Sequence, residues 1–333
     1  MSPSYILGTQ NFGTSWTETT LPQLVTRLDD AGITHYDTAA LYPATNPGQS
    51  ETLLGQIQRD DVLIDTKILF QPGGLQHDKM EQSLRGSLSR LGVSKVNTLF
   101  AHAPDPTTPI AEQAANFDAL HRAGLFTSLG LCNYSPAQLT EWLTVSQSQG
   151  LIAPTVYQGQ YNLLCRGYET SLFPLLRQHG LRFVANSPLA GGFLTGKLTF
   201  ATGASQLVGT RFEVGEANLI GGLFRAWYDR DVFHEAVRKM REAVAAEGLL
   251  GGGEEKEVMA RVAMRWVLFH SGLRGECGDA VAVGPGSVRQ LETYLDARDE
   301  GPLSGELAGV LGGLFEGVKG EAEGIITVGW WSW

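Results

Sequence analysis

The chain of 333 residues has few cysteines, and they lie far apart. Cys132, Cys165 and Cys277 form no Cys-x-x-Cys pair, so the sequence predicts neither a metal site nor a disulfide framework. The sequence also lacks a run of about 20 apolar residues, the length that a membrane span requires. The first residues have neither the basic start nor the apolar core of a signal peptide. We therefore expect a cytoplasmic protein that does not bind a membrane.

Clusters of basic residues are missing as well. The chain has 25 Lys and Arg against 35 Asp and Glu, which gives a formal net charge of −10 at pH 7. An acidic balance without a Lys/Arg run argues against a nucleic-acid surface, although one local cationic pocket would suffice to bind a phosphate. Hydrophobic residues make up 43% and charged residues 18% of the chain, which is typical of a globular protein.

What the sequence does contain is a regular alternation of short apolar segments and amphipathic segments. The strand candidates are residues 6–12, 34–39, 62–68, 97–103, 128–135, 155–162, 181–189 and 280–287. Helical patterns cover residues 50–57, 79–92, 111–124, 136–150, 169–180, 231–247, 254–270 and 288–299. Because parallel neighbouring strands need crossover helices, eight such units favour a closed (β/α)8 TIM barrel. A doubly wound sheet usually carries G-x-G-x-x-G after its first strand, and that fingerprint is absent here.

Two segments depart from this alternation. A long glycine-bearing insertion runs from residue 190 to about 230, after the seventh strand. Residues 301–333 are glycine-rich and end in three tryptophans, and each glycine weakens a helix by about 1 kcal/mol relative to Ala. The tail is therefore predicted to be a short or frayed helix with a mobile terminus. We expect a single barrel domain over residues 1–333, with the barrel at about 6–299 and the C-terminal helix and tail at about 300–333.

Ionisable residues end three consecutive predicted strands, and a tyrosine follows the first of them. Asp37 lies in the second strand with Tyr42 in the loop beyond it, while Lys67 ends the third strand and His102 the fourth. The carboxyl ends of barrel strands meet at one mouth, where an ammonium can lower the pKa of a phenol from about 10. Asp37 can hold Lys67, and His102 can orient a carbonyl oxygen. This set suits the protonation of an oxygen that gains negative charge as a carbonyl receives hydride from a cofactor.

Each of these residues also has a simpler interpretation when it is taken alone. Asp37 and Lys67 could form a structural ion pair, His102 could be a core histidine, and Tyr42 could be a packing residue of its loop. Their order along the strand ends favours the catalytic interpretation. The other histidines show no clustering typical of metal ligands.

Several longer strings point to one family. They are LGTQNFG, HYDTAALY, SETLLG, IDTK, LFAHAPD, GLCNYS, PTVYQGQYN, LFPLLRQHGLRF and SPLAGGFLTGK, and they span the chain from residue 6 to about 299. The chain resembles the aldo-keto reductase superfamily, and within it the aflatoxin-aldehyde reductase subgroup, which includes succinic-semialdehyde reductases. The resemblance implies a (β/α)8 barrel, NADPH as hydride donor, and a tetrad of Asp37, Tyr42, Lys67 and His102 in which Tyr42 is the general acid.

The same resemblance implies a set of residues that bind NADPH/NADP+. Asp37 is common to the tetrad and this set. Those assigned to the nicotinamide wall are Asn133, Gln158, Tyr161 and Ser187; those assigned to the pyrophosphate are Leu189, Gly191, Leu194 and Lys197; those assigned to the adenosine 2′-phosphate are Gly286, Ser287, Arg289 and Gln290. Arg211 matches a basic residue that closes over the cofactor. Ser287 also begins a predicted helix, where backbone N–H groups favour an anion.

Some positions depart from the pattern of the family. Gln10 stands where related sequences have Met, Cys132 precedes Asn133, and Tyr294 replaces an Asn near the adenine. The tail offers no arginine to bind an acidic substrate, which argues against a carboxylate-bearing substrate such as succinic semialdehyde. A larger aromatic or apolar carbonyl is favoured if Trp330, Trp331 or Trp333 reaches the mouth, and the simpler interpretation of these tryptophans is a hydrophobic contact or disorder.

The leading hypothesis is reduction of an aldehyde or ketone to an alcohol, with a small-molecule carbonyl as the partner. Two alternatives stay open. One is redox-neutral dehydration, isomerisation or cyclisation in a biosynthetic pathway of specialised metabolism. The other is a cofactor-binding regulatory subunit like the potassium-channel β-subunits, which share the barrel. The subgroup includes dimers, which leaves a homodimer open for this chain.

Overall fold

Eight parallel strands close into a barrel in the computed structural model, which describes residues 1–57, 61–215 and 218–327. The strands are β1 Ser4–Gly8, β2 His35–Asp37, β3 Leu63–Lys67, β4 Val96–Ala101, β5 Phe126–Cys132, β6 Pro154–Gln160, β7 Arg182–Asn186 and β8 Ala280–Val283. They pair in chain order, and β8 pairs with β1 to complete the ring. The predicted (β/α)8 barrel is therefore confirmed.

Helices connect the strands and surround the barrel. They are α1 Leu21–Asp30, α2 Gln49–Gly55, α3 His77–Leu91, α4 Ile110–Arg122, α5 Pro136–Gln149, α6 Tyr168–His179, α7 Leu219–Tyr228, α8 Asp231–Ala246, α9 Glu255–Phe269, α10 Val288–Asp299, α11 Gly305–Gly313 and α12 Lys319–Thr327. Helix α1 was not predicted from the sequence, although Leu21, Leu24 and Leu28 recur at helical spacing and are all buried. The first strand also ends earlier than predicted, at Gly8.

The strands separate two apolar layers because successive side chains point to opposite faces. The barrel interior is filled by a small cluster, which consists of Ile6, Phe100, Cys132, Val156, Val184, Ala280 and Ala282. The larger core lies between the strands and the surrounding helices. A side chain near the end of a strand therefore reaches the mouth of the barrel only if it points inward, as the side chains of this small cluster do.

The insertion after β7 is anchored to the end of β6. It contains short 3-10 turns at Ala190–Thr195 and Ala204–Leu207, followed by α7. The hydroxyl of Tyr228, the last residue of α7, accepts hydrogen bonds from Gln160 Nε2 at 2.7 Å and from Asn162 Nδ2 at 3.1 Å. These buried contacts hold the inserted segment beside the carboxyl ends of β6 and β7.

Of the two predicted forms of the glycine-rich tail, residues 301–327 adopt short helices, α11 and α12, and these are packed rather than frayed. Leu307, Leu311 and Phe315 are buried, and Arg166 donates a hydrogen bond to Gly312 O at 2.8 Å. The guanidinium of Arg166 also stacks on Phe315, 5.2 Å from the centre of its ring. Tertiary contacts therefore offset the poor helix propensity of glycine. Trp330, Trp331 and Trp333 lie outside the described residues.

Two further features concern residues 1–57, 61–215 and 218–327. No helix in these ranges has the length and apolar character to cross a membrane. The same ranges contain no group of three or more His, Cys, Asp or Glu side chains arranged to hold a metal ion.

Candidate active site

A buried ion pair lies at the centre of the barrel mouth. Lys67 Nζ donates to Asp37 Oδ1 at 2.7 Å and to Oδ2 at 2.6 Å, and it also donates to Thr38 O at 2.9 Å. Lys67 and Asp37 are 1% and 4% exposed, so neither charge is solvated by bulk water. Burial by itself lowers the pKa of Lys67, but Asp37, together with Tyr42 and Cys132, outweighs that effect and the net shift is upward. Lys67 is therefore held as a permanent cation.

Tyr42 and His102 stand beside this ion pair. Lys67 Nζ lies 5.4 Å from the centre of the Tyr42 ring, and the Tyr42 and His102 rings meet edge to face with their centres 5.6 Å apart. Tyr42 is partly exposed, whereas His102 is buried. The structure thus brings together all four residues that the sequence predicted to converge, and only Tyr42 among them is open to the mouth.

The pKa of Tyr42 is higher than the sequence reading suggested. Desolvation raises the pKa of the phenol to about 12, while Lys67 pulls it down and Asp37 pushes it up. The predicted influence of Lys67 has the expected direction, but burial is the larger effect. Burial, followed by repulsion from Lys67, lowers the pKa of His102 well below its usual range, so its imidazole is neutral at neutral pH.

Three residues other than glycine have left-handed backbone at the carboxyl ends of β5 and β7. Asn133 has φ 67°, Ser187 φ 53° and Ala190 φ 52°. Such conformations are uncommon for residues with a side chain, and they cluster at functional sites. Asn133 Nδ2 donates to His102 O at 2.8 Å, which ties this turn to the fourth strand. The strained turns therefore surround the same mouth.

The amide of Gln158 joins the ion pair from β6. Its Nε2 donates to Asp37 Oδ1 at 3.0 Å, and the side chain is 3% exposed. The predicted wall residues Asn133 and Gln158 thus lie next to His102 and Asp37, respectively, as a nicotinamide site between these groups would require.

Arg211 provides a cation that joins the insertion to Gln10, which follows β1. Its Nη1 donates to Gln10 Oε1 at 3.2 Å, and its guanidinium lies 5.1 Å from the centre of the Phe224 ring. Among the residues that the structure describes, no carboxylate is paired with Arg211. Burial lowers the pKa of Arg211, which is expected for a desolvated cation without a carboxylate partner among the described residues. Such a group fits the pyrophosphate of a dinucleotide.

Gly191 of the insertion lies against Phe224, the same ring that Arg211 contacts. Gly191 and Gly192 have φ 68° and 100°, conformations that residues with side chains rarely adopt. A Cβ on Gly191 would lie 2.5 Å from Phe224 Cδ1. The buried Leu189 and Leu194 hold this turn against the core, and Lys197, partly exposed, follows it. The turn therefore presents backbone rather than side chains, which suits the close approach of a phosphate.

The start of α10 offers a second, more exposed position. Ser287 Oγ accepts from Gln290 N at 3.2 Å, and Gly286 N donates to Gln290 Oε1 at 2.7 Å. Arg289 forms a bidentate ion pair with Glu257 and is 64% exposed. Arg289 would have to exchange this carboxylate for a phosphate to act as the resemblance implies.

Tyr161 is placed away from the mouth. Its side chain points away from the barrel interior, on the face opposite to that of Gln158. It is fully buried against Phe173 and Phe183. Its hydroxyl donates to Glu169 and accepts from Gly272 N at 2.9 Å. We therefore leave Tyr161 out of the cofactor site, and we attribute to it a packing role between β6 and the helical layer.

Two polar residues near the tetrad were not singled out from the sequence. Asp105 accepts from Gly73 N, Leu75 N and Thr107 N, which joins the loops after β3 and β4. Ser50 is fully buried behind the loop that carries Tyr42. Both belong to strings already quoted, LFAHAPD and SETLLG, where a polar residue beside a predicted buried segment is the only signal of their role.

Comparison with known proteins supports the same conclusion. The Aldo/keto reductase family profile matches residues 5–308. The chain is 38% identical over 309 residues to human Aldo-keto reductase family 7 member A3, a match that covers 90% of each protein. It is 36% identical to Aflatoxin B1 aldehyde reductase member 2 of Rattus norvegicus, over 91% of this chain and 82% of the relative. It is 34% identical to Oxidoreductase sirO of Leptosphaeria maculans, over 96% of each.

These matches cover nearly the whole barrel. The name of each relative describes a reductase or an oxidoreductase. The chain therefore belongs to the Aldo/keto reductase family, and it is an oxidoreductase that acts on carbonyl compounds.

Proposed function

We propose that the protein reduces an aldehyde or ketone to an alcohol with NADPH as the reductant and Tyr42 as the proton donor. The observation that carries this proposal is the buried Lys67–Asp37 pair beside the partly exposed Tyr42 and the neutral His102. NADPH supplies the hydride when it is bound. The rest of the chemistry is the work of side chains at the mouth.

Each member of the tetrad would have one task. Tyr42 stays protonated at neutral pH because its pKa is near 12, and it donates its proton to the oxygen that gains negative charge. Lys67 stabilises the phenolate that remains, and Asp37 keeps Lys67 in place. His102 is neutral, so it can donate a hydrogen bond to the carbonyl oxygen and orient it without taking part as an acid.

The cofactor would extend from the tetrad to α10. Asn133, Gln158 and Ser187 would contact the nicotinamide end, and Arg211 would cover the pyrophosphate. The remaining candidates are Leu189, Gly191, Leu194 and Lys197 along the insertion, and Gly286, Ser287, Arg289 and Gln290 at the start of α10. Substrates with an apolar or aromatic body are favoured, since the described part of the tail shows no arginine that could bind a substrate carboxylate.

The test is an assay of NADPH oxidation with a panel of carbonyl compounds, in which the absorbance of the cofactor is measured over time. The panel pairs aromatic and aliphatic aldehydes with carboxylate-bearing aldehydes of similar size. We expect turnover with several members and higher kcat/KM for the uncharged ones. Product formation without net NADPH oxidation would instead favour redox-neutral chemistry. NADPH binding without turnover of any carbonyl would favour a regulatory subunit.

Arg211 and Arg289 make separable predictions about the cofactor. Arg211→Met should raise the dissociation constants of NADPH and NADH alike by about 10- to 100-fold, because a charged hydrogen bond contributes about 1.5–3 kcal/mol and the pyrophosphate is common to both. Arg289→Met should weaken NADPH alone, because only NADPH has the 2′-phosphate. Fluorescence titration measures both constants, and the exposed Arg85→Met is the control. Unchanged affinity in Arg211→Met would remove this residue from the cofactor site.

A further inference from the structure

We propose that Ser50 is a positioning residue whose buried hydroxyl sets the place of the Tyr42 phenol relative to Lys67. Ser50 lies at the start of α2, and it contacts neither the mouth nor any member of the tetrad through its side chain. The inference rests on the proposed role of Tyr42 as proton donor. It concerns how the chain holds that donor in place.

The backbone of Ser50 is bonded directly to the backbone of Tyr42. The first N–H groups of a helix have no partner within the helix, and α2 begins at Gln49. The N–H of Ser50 is therefore available, and it donates to Tyr42 O at 3.0 Å. The loop from Tyr42 to α2 is closed by this bond, so a shift of Ser50 is transmitted to Tyr42.

The hydroxyl of Ser50 uses its full hydrogen-bonding capacity. It donates to Thr9 O at 2.9 Å, and it lies 2.8 Å from Thr9 Oγ1 and 3.0 Å from Thr38 Oγ1. A hydroxyl has one donor and two acceptor sites. The Ser50 hydroxyl can therefore donate to Thr9 O and accept from Thr38 Oγ1, while the single proton of Thr9 Oγ1 is shared between Ser50 Oγ and Asp37 O. Ser50, Thr9 and Thr38 are each 0% exposed, and bulk water cannot replace these bonds.

The two threonines connect this hydroxyl to the ion pair. Thr9 N donates to Asp37 O at 2.9 Å, with Thr9 Oγ1 3.2 Å from the same oxygen. Thr38 O accepts the third hydrogen bond of Lys67 Nζ, at 2.9 Å. Ser50 is thus one hydrogen bond from the backbone of Tyr42 and one hydrogen bond from each of the two threonines that contact Asp37 and Lys67. It joins the loop of the acid to the strand ends that carry the charge.

The neighbouring residue of the same motif has a different role. Glu51 is 0% exposed, accepts from Thr66 Oγ1 at 2.6 Å, and pairs with Arg90 of α3. Its contacts hold α2 against β3 and α3, and its partner Arg90 lies against Gly48 at the α2 end of the loop. Ser50 is the residue whose backbone bonds Tyr42 directly, so the positioning of Tyr42 is attributed to Ser50 and to its contacts with Thr9 and Thr38.

The experiment compares three substitutions at residue 50 in the full-length enzyme loaded with NADPH. Ser50→Ala removes the hydroxyl, Ser50→Cys keeps its approximate volume with a much weaker hydrogen bond, and Ser50→Thr keeps the hydroxyl. The control is Ser146→Ala. Ser146 is 2% exposed, and its hydroxyl bonds Ile152 O at 3.2 Å near the end of α5, far from the mouth. kcat, KM, the pH profile of kcat, the NADPH dissociation constant and the thermal midpoint are measured for each.

We expect kcat to fall about 10- to 100-fold in Ser50→Ala and Ser50→Cys, the range that a misplacement of about 1 Å can cause. The alkaline limb of the kcat profile should shift, because the field of Lys67 at the phenol changes. The NADPH dissociation constant should stay within about twofold of wild type, and Ser50→Thr should recover most of kcat. Ser146→Ala should lower the thermal midpoint without changing kcat.

Two results would overturn the proposal. One is a kcat and pH profile within about twofold of wild type in Ser50→Ala or, if that variant does not fold, in Ser50→Cys. The other is a loss of kcat in Ser50→Cys that merely follows its thermal midpoint and is equally large in Ser146→Ala. If Tyr42→Phe itself retains full turnover, the proposed function has failed, and that outcome is distinguishable because it does not depend on residue 50.

Discussion

Replacing Tyr42 with Phe is expected to lower kcat for carbonyl reduction by about 10²- to 10⁴-fold. The substitution removes the hydroxyl that donates the proton and leaves the ring edge against His102, so the loss corresponds to general acid catalysis. The affinity for NADPH should change little, because the hydroxyl is not among the groups assigned to the cofactor. Steady-state kinetics and fluorescence titration measure the two quantities separately.

Tyr36→Phe is the matched control for this variant. Tyr36 lies on β2 next to Asp37 and is 0% exposed. Its side chain points away from the barrel interior and packs in the larger core between the strands and the helices. The same loss of a phenol oxygen there should leave kcat unchanged. Comparable turnover in Tyr42→Phe and wild type would remove Tyr42 from its assigned role, and a comparable loss in Tyr36→Phe would attribute the effect to the core rather than to the mouth.

Replacing Lys67 with Met is expected to affect both stability and rate. Asp37 would be left as a buried carboxylate without its cation, which costs about 3–5 kcal/mol of folding free energy when one partner of a buried pair is removed. Lys67 is also the group that lowers the pKa of Tyr42. Without it the pKa of the phenol rises further, the phenolate is less stable, and kcat should fall by about 100-fold or more.

The double variant Asp37→Asn, Lys67→Met separates the two effects. It removes both charges, so no buried carboxylate is left uncompensated, and most of the lost stability should return. The rate should stay low, because the ammonium is still missing. Denaturant unfolding and steady-state kinetics provide the measurements. Recovery of kcat together with stability would mean that Lys67 supports the fold alone.

The convergence of the tetrad could be predicted because a barrel brings the carboxyl ends of its strands to one mouth. The positions of Asp37, Lys67 and His102 could be predicted from the order of the strands alone. The position of Tyr42 followed from its place in the loop after Asp37. The strand order itself followed from the alternation of short apolar and amphipathic segments. These features depend on local sequence, so they are accessible without coordinates.

The direction in which each strand side chain points, and how deeply it is buried, were harder to predict. Tyr161 was assigned to the nicotinamide wall by its place in a string, yet it points outward, because inward and outward residues alternate along β6. The upward shift of the pKa of Tyr42 depends on how completely neighbouring elements exclude water. The pairing of Arg289 with Glu257 joins α10 to α9. Each of these depends on contacts between distant segments.

The tail and Ser50 show two further limits. The tail's glycines predict a weak helix, but contacts of Arg166 and Phe315 with the barrel decide the outcome. Ser50 lies in a string that the sequence reading quoted as typical of the family. Its contacts run to β1 and β2, which are 41 residues away at Thr9 and 12 residues away at Thr38. No local pattern reports such a network.

The most direct test of the central claim is the fate of the transferred hydrogen. The wild-type enzyme would be supplied with NADPH that carries deuterium at both C4 positions, together with the best carbonyl of the panel. The account predicts one deuterium on the carbinol carbon of each alcohol molecule and one NADPH oxidised per alcohol, by mass spectrometry and absorbance. A product that lacks the label, or that forms without oxidation of NADPH, would contradict the assignment of this mouth to carbonyl reduction.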